Sequence, residues 1–319
     1  IWLSGDNGIQ LRQATDGRIV KHLQRDRGKP WGLAANNVVA VLRDRSGVMW
    51  AGSYGGGLQR SSPGAGLWVR RGEGSGDHVL AEGDTRSLFQ LQSGEIWAGM
   101  SDRGVAVLDL QLRLLAQIRP EPGRPGAFAG GTVGAITQAP DGSVWVGTES
   151  RVYQFSPQRR LLRSVPAGQG RARRLLATRD GSIWLGTQDG VYRHKPGAEG
   201  FERLGLHDGG QVSGNVNALA ETADGTVWVG GNSGLHVVLP NVPGLQAVQS
   251  PAGEGLVKTV VLGLLVDRQK LLWVDSNAGL HRVLGSSGAV VRFKRVAESD
   301  SAGGGSVGAN LLDDAQGRI

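Results

Sequence analysis

The chain has 319 residues, a formal net charge of +7 and no cysteine, which excludes a disulfide framework and a thiolate metal site. Its arginines are spread along the chain rather than gathered into a basic stripe with stacking aromatics, which argues against nucleic-acid recognition. The densest groups, Arg159-Arg160-Leu161-Leu162-Arg163 and Arg171-Ala172-Arg173-Arg174, hold no aromatic residue and read as solvated surface.

The first element is the strand Ile1-Trp2-Leu3-Ser4-Gly5. Edited copies follow at Met49-Trp50-Ala51-Gly52, Ile96-Trp97-Ala98-Gly99, Val144-Trp145-Val146-Gly147, Ile183-Trp184-Leu185-Gly186, Val227-Trp228-Val229-Gly230 and Leu272-Trp273-Val274-Asp275. Seven of the nine tryptophans keep this register at spacings of 39 to 48 residues, and a period of that length marks a repeat architecture. Ahead of each Trp strand the pattern predicts a short apolar strand, as over 38–42 or 216–220. A tight turn such as Ser46-Gly47, Asp141-Gly142, Asp180-Gly181 or Asp224-Gly225 joins the two, with glycine supplying the positive φ that the turn needs. A second turn follows the Trp strand, at Asp6-Asn7-Gly8 or Gln188-Asp189-Gly190 for example, and leads to a third strand and a less regular fourth. The apolar run 259–266 is too short to span a membrane and reads as a buried strand. No stretch has a helical period.

Four antiparallel strands in each repeat of about 40 to 50 residues make a β-propeller blade. The chain ends on residues 311–319, a first strand and its turn cut just before the tryptophan, and it opens on the missing Ile1-Trp2. The expectation is therefore an all-β, seven-bladed propeller of four-stranded antiparallel blades over residues 1–319. Its composite blade, 1–27 plus 307–319, closes the ring by pairing N-terminal strands with the C-terminal one. The repeated Trp reads as blade-on-blade packing rather than a ligand platform. A start inside a repeat, without Met, predicts a domain of a longer protein.

Residues 32–58 (Gly32-Leu33 through Asn37-Val38, Asp44-Arg45-Ser46-Gly47-Val48-Met49-Trp50-Ala51-Gly52 and Gly57-Leu58) resemble the two-component regulator propeller repeat. So do 213–235 and Asp180-Gly181-Ser182-Ile183-Trp184-Leu185-Gly186-Thr187. The match is specific in five of seven copies. It weakens in the copy around Trp273, the sixth of the unbroken ones, where Lys270 stands for the turn glycine and Asp275 for the glycine after Trp. The resemblance implies an extracytoplasmic, periplasmic sensor propeller of a bacterial inner-membrane receptor, such as a hybrid histidine kinase or a diguanylate cyclase. It further implies a homodimer formed through that receptor, and membrane contact only through segments outside this chain. No kinase or cyclase motif is present, so any output belongs elsewhere, and neither catalytic residues nor a cofactor are expected here. No spacing of His and carboxylates suggests a metal site.

In a propeller, two loops per blade converge on the ring mouth: the loop leading into the innermost strand and the loop after the Trp strand. The first set supplies Asn37, Arg86, Arg173, Asn217, Lys258 and Asn310. The second supplies Asp6, Tyr54, Asp102, Arg103, Glu149, Arg151, Asp189, Asn232 and Asn277. These polar groups of both signs predict a small-molecule or glycan ligand, although Asn and Asp also serve as turn formers that bond their own backbone. The loops 78–85, 123–131 and 298–306 are long or glycine-rich, and Trp31 sits just before an innermost strand, where a ligand would pass.

Two other function classes compete. One is a propeller enzyme, a lyase or glycan hydrolase. Streptogramin-type lyases place Phe-Thr-Glu after the Trp and sialidases use Asp-x-Gly-x-x-Trp, and neither spacing occurs here; His207-Asp208 has no nucleophile assigned to it. The other is a protein-interaction scaffold.

Overall fold

The computed structural model describes residues 1–28, 32–61, 68–70, 84–168, 170–251, 259–297 and 310–312. Among them, all regular structure is strand, arranged as seven four-stranded antiparallel sheets. The second blade shows the pattern. Val38–Arg43 lies innermost, Met49–Ser53 carries the Trp, Gly57–Ser61 follows, and Trp68–Arg70 lies outermost. Its first hairpin closes where Gly47, at φ 90, donates its N–H to the Asp44 carbonyl at 2.9 Å. The seventh blade makes the same bond at Lys270 with φ 66, a conformation unfavourable for a residue with a Cβ. The predicted strand over 259–266 begins at Val261 and is buried at Val261 and Gly263 and half-buried at its other residues. Trp68, outside the repeat register, packs on the outermost strand with Ile9 and Leu33.

The repeated tryptophans hold the ring together. Each reaches the Trp strand of the next blade: Trp50 meets Ile96 and Ala98, Trp97 meets Val144 and Val146, and Trp145 meets Ile183 and Leu185. Trp184 meets Val227 and Val229, and Trp228 meets Leu272 and Val274. The last two steps run through the composite blade, and the first of them crosses the chain ends. Trp273 packs on Ile1 and Leu311, and Trp2 packs on Met49 and Ala51. Trp2–Gly5 pairs with Asn310–Leu312, with Ser4 opposite Asn310 and Trp2 opposite Leu312. That pairing places the C-terminal strand innermost in a sheet continued by Gly8–Arg12 and Ile19–Leu23. Closure by the two ends is thus as expected; residues 307–309 and 313–319 of the expected composite blade lie outside the described residues.

Burying an indole leaves its N–H to be satisfied. Trp50 and Trp273 each donate to a buried carboxylate six residues earlier, Asp44 Oδ2 and Asp267 Oδ2, both at 2.8 Å. Trp228 donates to Thr222 Oγ1 at 3.1 Å, Trp145 to Ser143 Oγ at 3.2 Å and Trp97 to Glu95 Oε2 at 3.3 Å. Trp184 Nε1 is buried with no partner.

The glycine two residues after Trp has a packing cause. A Cβ on Gly99 would fall 2.2 Å from Ser87 Oγ and 2.4 Å from Val133 Cγ1; on Gly230 it would fall 2.4 Å from Val261 Cγ1. The start of the next innermost strand occupies that space. Gly99→Ala is expected to cost about 1–3 kcal/mol through overpacking. Gly5→Ala, whose methyl would meet nothing within 4 Å, should cost far less in the same urea titration.

Asp275 stands at this glycine position in the seventh blade. Burial pushes its carboxyl from 3.8 up to about 7, against the opposing pull of Arg12 and a backbone hydrogen bond at Ser276. A carboxyl raised on folding binds its proton more tightly in the native state, so its contribution is full below the unfolded value and is lost as pH rises toward 7. Asp275→Asn should therefore gain about 3–4 kcal/mol on the wild type between about pH 4 and pH 8, read from denaturant midpoints at the two pH values. Parallel pH profiles would rule this out.

Candidate functional site

The loops leading into the innermost strands and the loops after the Trp strands meet on one face of the ring. Backbone hydrogen bonds join them blade by blade: Tyr54 N to Asn37 O at 3.0 Å, Ser101 N to Asp84 O at 3.1 Å, Asn232 N to Asn215 O at 2.9 Å and Asn277 N to Val260 O at 3.0 Å. Here five blades share a feature that the sequence does not display. The register slips by one residue at the start of the innermost strand, at Val39, Arg86, Arg173, Asn217 and Leu262. A bulge at such a place re-aims the extra side chain. Three of these residues, Val39, Arg86 and Arg173, line a cavity of about 80 Å³ that spans the second to fifth blades. By register, the counterparts of Arg86, Arg173 and Asn217 are therefore Val39 and Leu262, not Asn37 and Lys258.

Tyr54, Thr132, Gly134, Arg171, Ala172 and Arg174 complete the lining. The Arg86 guanidinium lies 3.7 Å from the Tyr54 ring centroid, a stacked cation–π pair. Arg86 Nε donates to Ser101 Oγ at 2.8 Å, and its Nη2 lies 3.7 Å from Asp84 Oδ2. Arg171 Nη2 lies 3.4 Å from Glu149 Oε1. From Arg173 a side-chain relay runs round the mouth. Its Nη2 donates to Asn217 Oδ1 at 3.2 Å, and Asn217 Nδ2 donates to Asn232 Oδ1 at 3.2 Å and to Val261 O at 2.9 Å. Burial lowers the Arg86 guanidinium, as does Arg171, while Asp102 and Glu149 oppose the shift. Burial, then Arg173, pushes Arg174 down to about 10, so it stays a cation at neutral pH.

Of the residues expected at the mouth, the structure brings together Tyr54 with Arg86, and Arg173 with Asn217 and Asn232. Others turn elsewhere. Arg151 binds Ser164 on the outermost strand of its blade through Nε and Nη2, at 2.9 to 3.2 Å. Asp189 is held by Arg203 at 3.3 Å and by the Tyr192 hydroxyl at 3.5 Å. Asn277 stays at the mouth but spends its Oδ1 on Val260 N at 3.1 Å, which ties the two mouth loops of its blade together. Asp102 and Arg103 are exposed, with Asp102 at φ 56. Asn37 Oδ1 is buried without a hydrogen bond. Lys258, Trp31, residues 78–83 and the loop 298–306 lie outside the described residues.

Sequence reasoning missed Arg171 and Arg174 as site residues. The signal was the run Arg171-Ala172-Arg173-Arg174 itself, which straddles the start of an innermost strand rather than a solvated face. None of the described histidines lies on an innermost strand. Among the described residues no three of His, Asp or Glu gather closely enough to hold a metal ion.

Residues 32–55 and 210–233 match the family described as Two component regulator propeller. No curated protein gives a match. The fold is similar to the extracellular domains of two B. thetaiotaomicron proteins assigned as hybrid two component systems. One is 19% identical with a TM-score of 0.69, over 88% of this chain and 36% of that one. The other is 18% identical with a TM-score of 0.65, over 96% of this chain and 38% of that one. The chain thus spans less than two fifths of either extracellular domain. It is also similar to virginiamycin B lyase from Staphylococcus aureus, at 10% identity and a TM-score of 0.57, over 81% and 84% of the two chains. At such identities the likeness is one of fold. With one matched segment ending beside Tyr54 and the other beside Asn232, the chain is a seven-bladed propeller carrying two component regulator propeller repeats.

Proposed function

We propose that this propeller is the extracytoplasmic, periplasmic ligand-sensing module of a bacterial transmembrane signal-transduction receptor, and that it binds a small molecule or glycan at the ring mouth without catalysis. One observation carries the reading. The polar side chains of the mouth are linked to one another across blades, Arg173 to Asn217 to Asn232, on a ring whose strands are fixed by buried tryptophans. Polar groups held by a rigid scaffold are pre-organised, which lowers the cost of binding. The matched repeats support the receptor context, as do the solved extracellular domains with the same fold.

The test is thermal unfolding of the propeller with a panel of mono- and oligosaccharides and small polar solutes, both neutral and anionic. A true ligand at about 100 times its Kd adds roughly 2.7 kcal/mol. Asn217→Ala should abolish that gain, because it cuts the relay in the middle. If no compound stabilises the wild type, or if the gain survives in Asn217→Ala, ligand sensing at this mouth is wrong.

A further inference from the structure

We propose that the floor of the mouth, between Arg86 and Arg174, is a binding site for a small oxyanion, a phosphate or carboxylate group. The proposal rests on the mouth being the ligand face and narrows the class of ligand it takes. Four guanidinium groups, Arg86, Arg171, Arg173 and Arg174, line one cavity. Its volume of about 80 Å³ is several times the ~10–15 Å³ that one water requires, so there is room for such a group.

The charges there do not balance. Arg86 has Asp84 at 3.7 Å and Arg171 has Glu149 at 3.4 Å. Arg173 and Arg174 have no carboxylate partner among the described residues. Arg173 Nη2 reaches only the neutral amide of Asn217, its Nε is buried with no hydrogen-bond partner, and Arg174 Nη1 donates to the Arg173 carbonyl at 2.8 Å. Burial and a neighbouring arginine lower both guanidinium groups, and no acid opposes the shift. A buried cation without a counter-charge is strongly unfavourable, and a second one beside it more so. An oxyanion in the cavity would supply the missing charge and accept from the guanidinium forks in the geometry that carboxylate and phosphate share.

The cavity is also shaped for this. The bulge at Arg173 turns successive arginines of one strand toward the same space. The small residues Gly134 and Ala172 and the buried Thr132 leave room beside the arginines in the lining. Tyr54 stacks on the Arg86 guanidinium and fixes its plane.

The experiment is thermal unfolding of the 319-residue chain at constant ionic strength in sodium phosphate, sodium succinate or sodium chloride. We expect phosphate or succinate, at about 100 times its Kd, to raise Tm by about 4 °C over chloride; which of the two acts separates the phosphate from the carboxylate source. Arg173→Gln and Arg174→Gln should each lose the response while melting no lower than the wild type in chloride, because each removes an uncompensated charge. Arg103→Gln, at an exposed position, should keep it. If Arg174→Gln does not fold, Arg173→Gln alone decides. An equal Tm in all three salts, or a response that persists in Arg173→Gln, overturns the site. Stabilisation by neutral saccharides alone would overturn it too, while leaving the sensing function in place.

Discussion

Trp273→Ala is expected to lower the unfolding free energy by about 3–5 kcal/mol and to open the ring at one seam. Trp273 is 1% exposed and packs on Ile1, Leu280 and Leu311, with Leu3 and Leu265 beside them. Ile1 and Leu311 come from opposite ends of the chain, so this cluster joins the seventh blade to the composite one. The only strand pairing that joins the chain ends among the described residues is the short ladder of Trp2–Gly5 with Asn310–Leu312. Trp228→Ala removes a comparable side chain, but between two blades that the chain connects directly. The two variants should therefore lose similar free energy in urea and differ in hydrogen exchange. Amides of Trp2–Gly5 should lose protection in Trp273→Ala and keep it in Trp228→Ala. Equal protection there in both variants would show that the Trp273 cluster does not hold the seam.

Asp44→Ala should cost about 3 kcal/mol, more than most side-chain truncations in a turn. Asp44 is 2% exposed. Its Oδ1 accepts from Ser46 N at 2.9 Å, Ser46 Oγ at 2.5 Å and Val48 N at 3.0 Å, and its Oδ2 accepts from Trp50 Nε1 at 2.8 Å. Removing the carboxylate strands a buried indole N–H and unties the hairpin in one step. Asp44→Asn keeps one acceptor oxygen, enough for the turn donors but not for the indole N–H as well, and should lose about 2 kcal/mol. Denaturant midpoints of the two variants check the order. A loss in Asp44→Ala no larger than in Asp44→Asn would mean that the bonds closing the turn carry none of the cost.

The ring was legible because its causes are local and repeated. Trp50 and its counterparts, the turn glycine at Gly47 and the glycine at Gly99 each answer a need that recurs in every blade, so each leaves a periodic trace. Even the departures were visible, and Lys270 and Asp275 prove to sit in a left-handed turn and at a half-buried strand position where desolvation raises the carboxyl. The mouth was legible only in outline. Tyr54, Arg86, Arg173 and Asn217 fall where loop counting puts them. Which of their neighbours face inward depends on a one-residue slip in strand register, and a slip has no residue signature: Val39, Arg86 and Leu262 occupy the same place with unrelated side chains. Partners across blades decide the rest. Arg151 and Asp189 look identical in kind to mouth residues until Ser164 and Arg203 are seen to draw them outward. The Arg171–Arg174 run misled for the opposite reason, since dense charge is commonly solvated.

The pairing of Ser4 with Asn310 also sets the order of assembly. Every other innermost strand is joined to its Trp strand by a tight turn and can form its hairpin early, while this pair must wait for nearly the whole chain to be in place. The entropy of bringing such distant segments together grows only slowly with separation, so the final ring need not be weak. The delay is kinetic: contacts of this span form late, and until they do the nascent ring carries two unpaired strand edges. The final three-residue ladder would then act as a latch, converting a string of independently formed hairpins into a single cooperative unit.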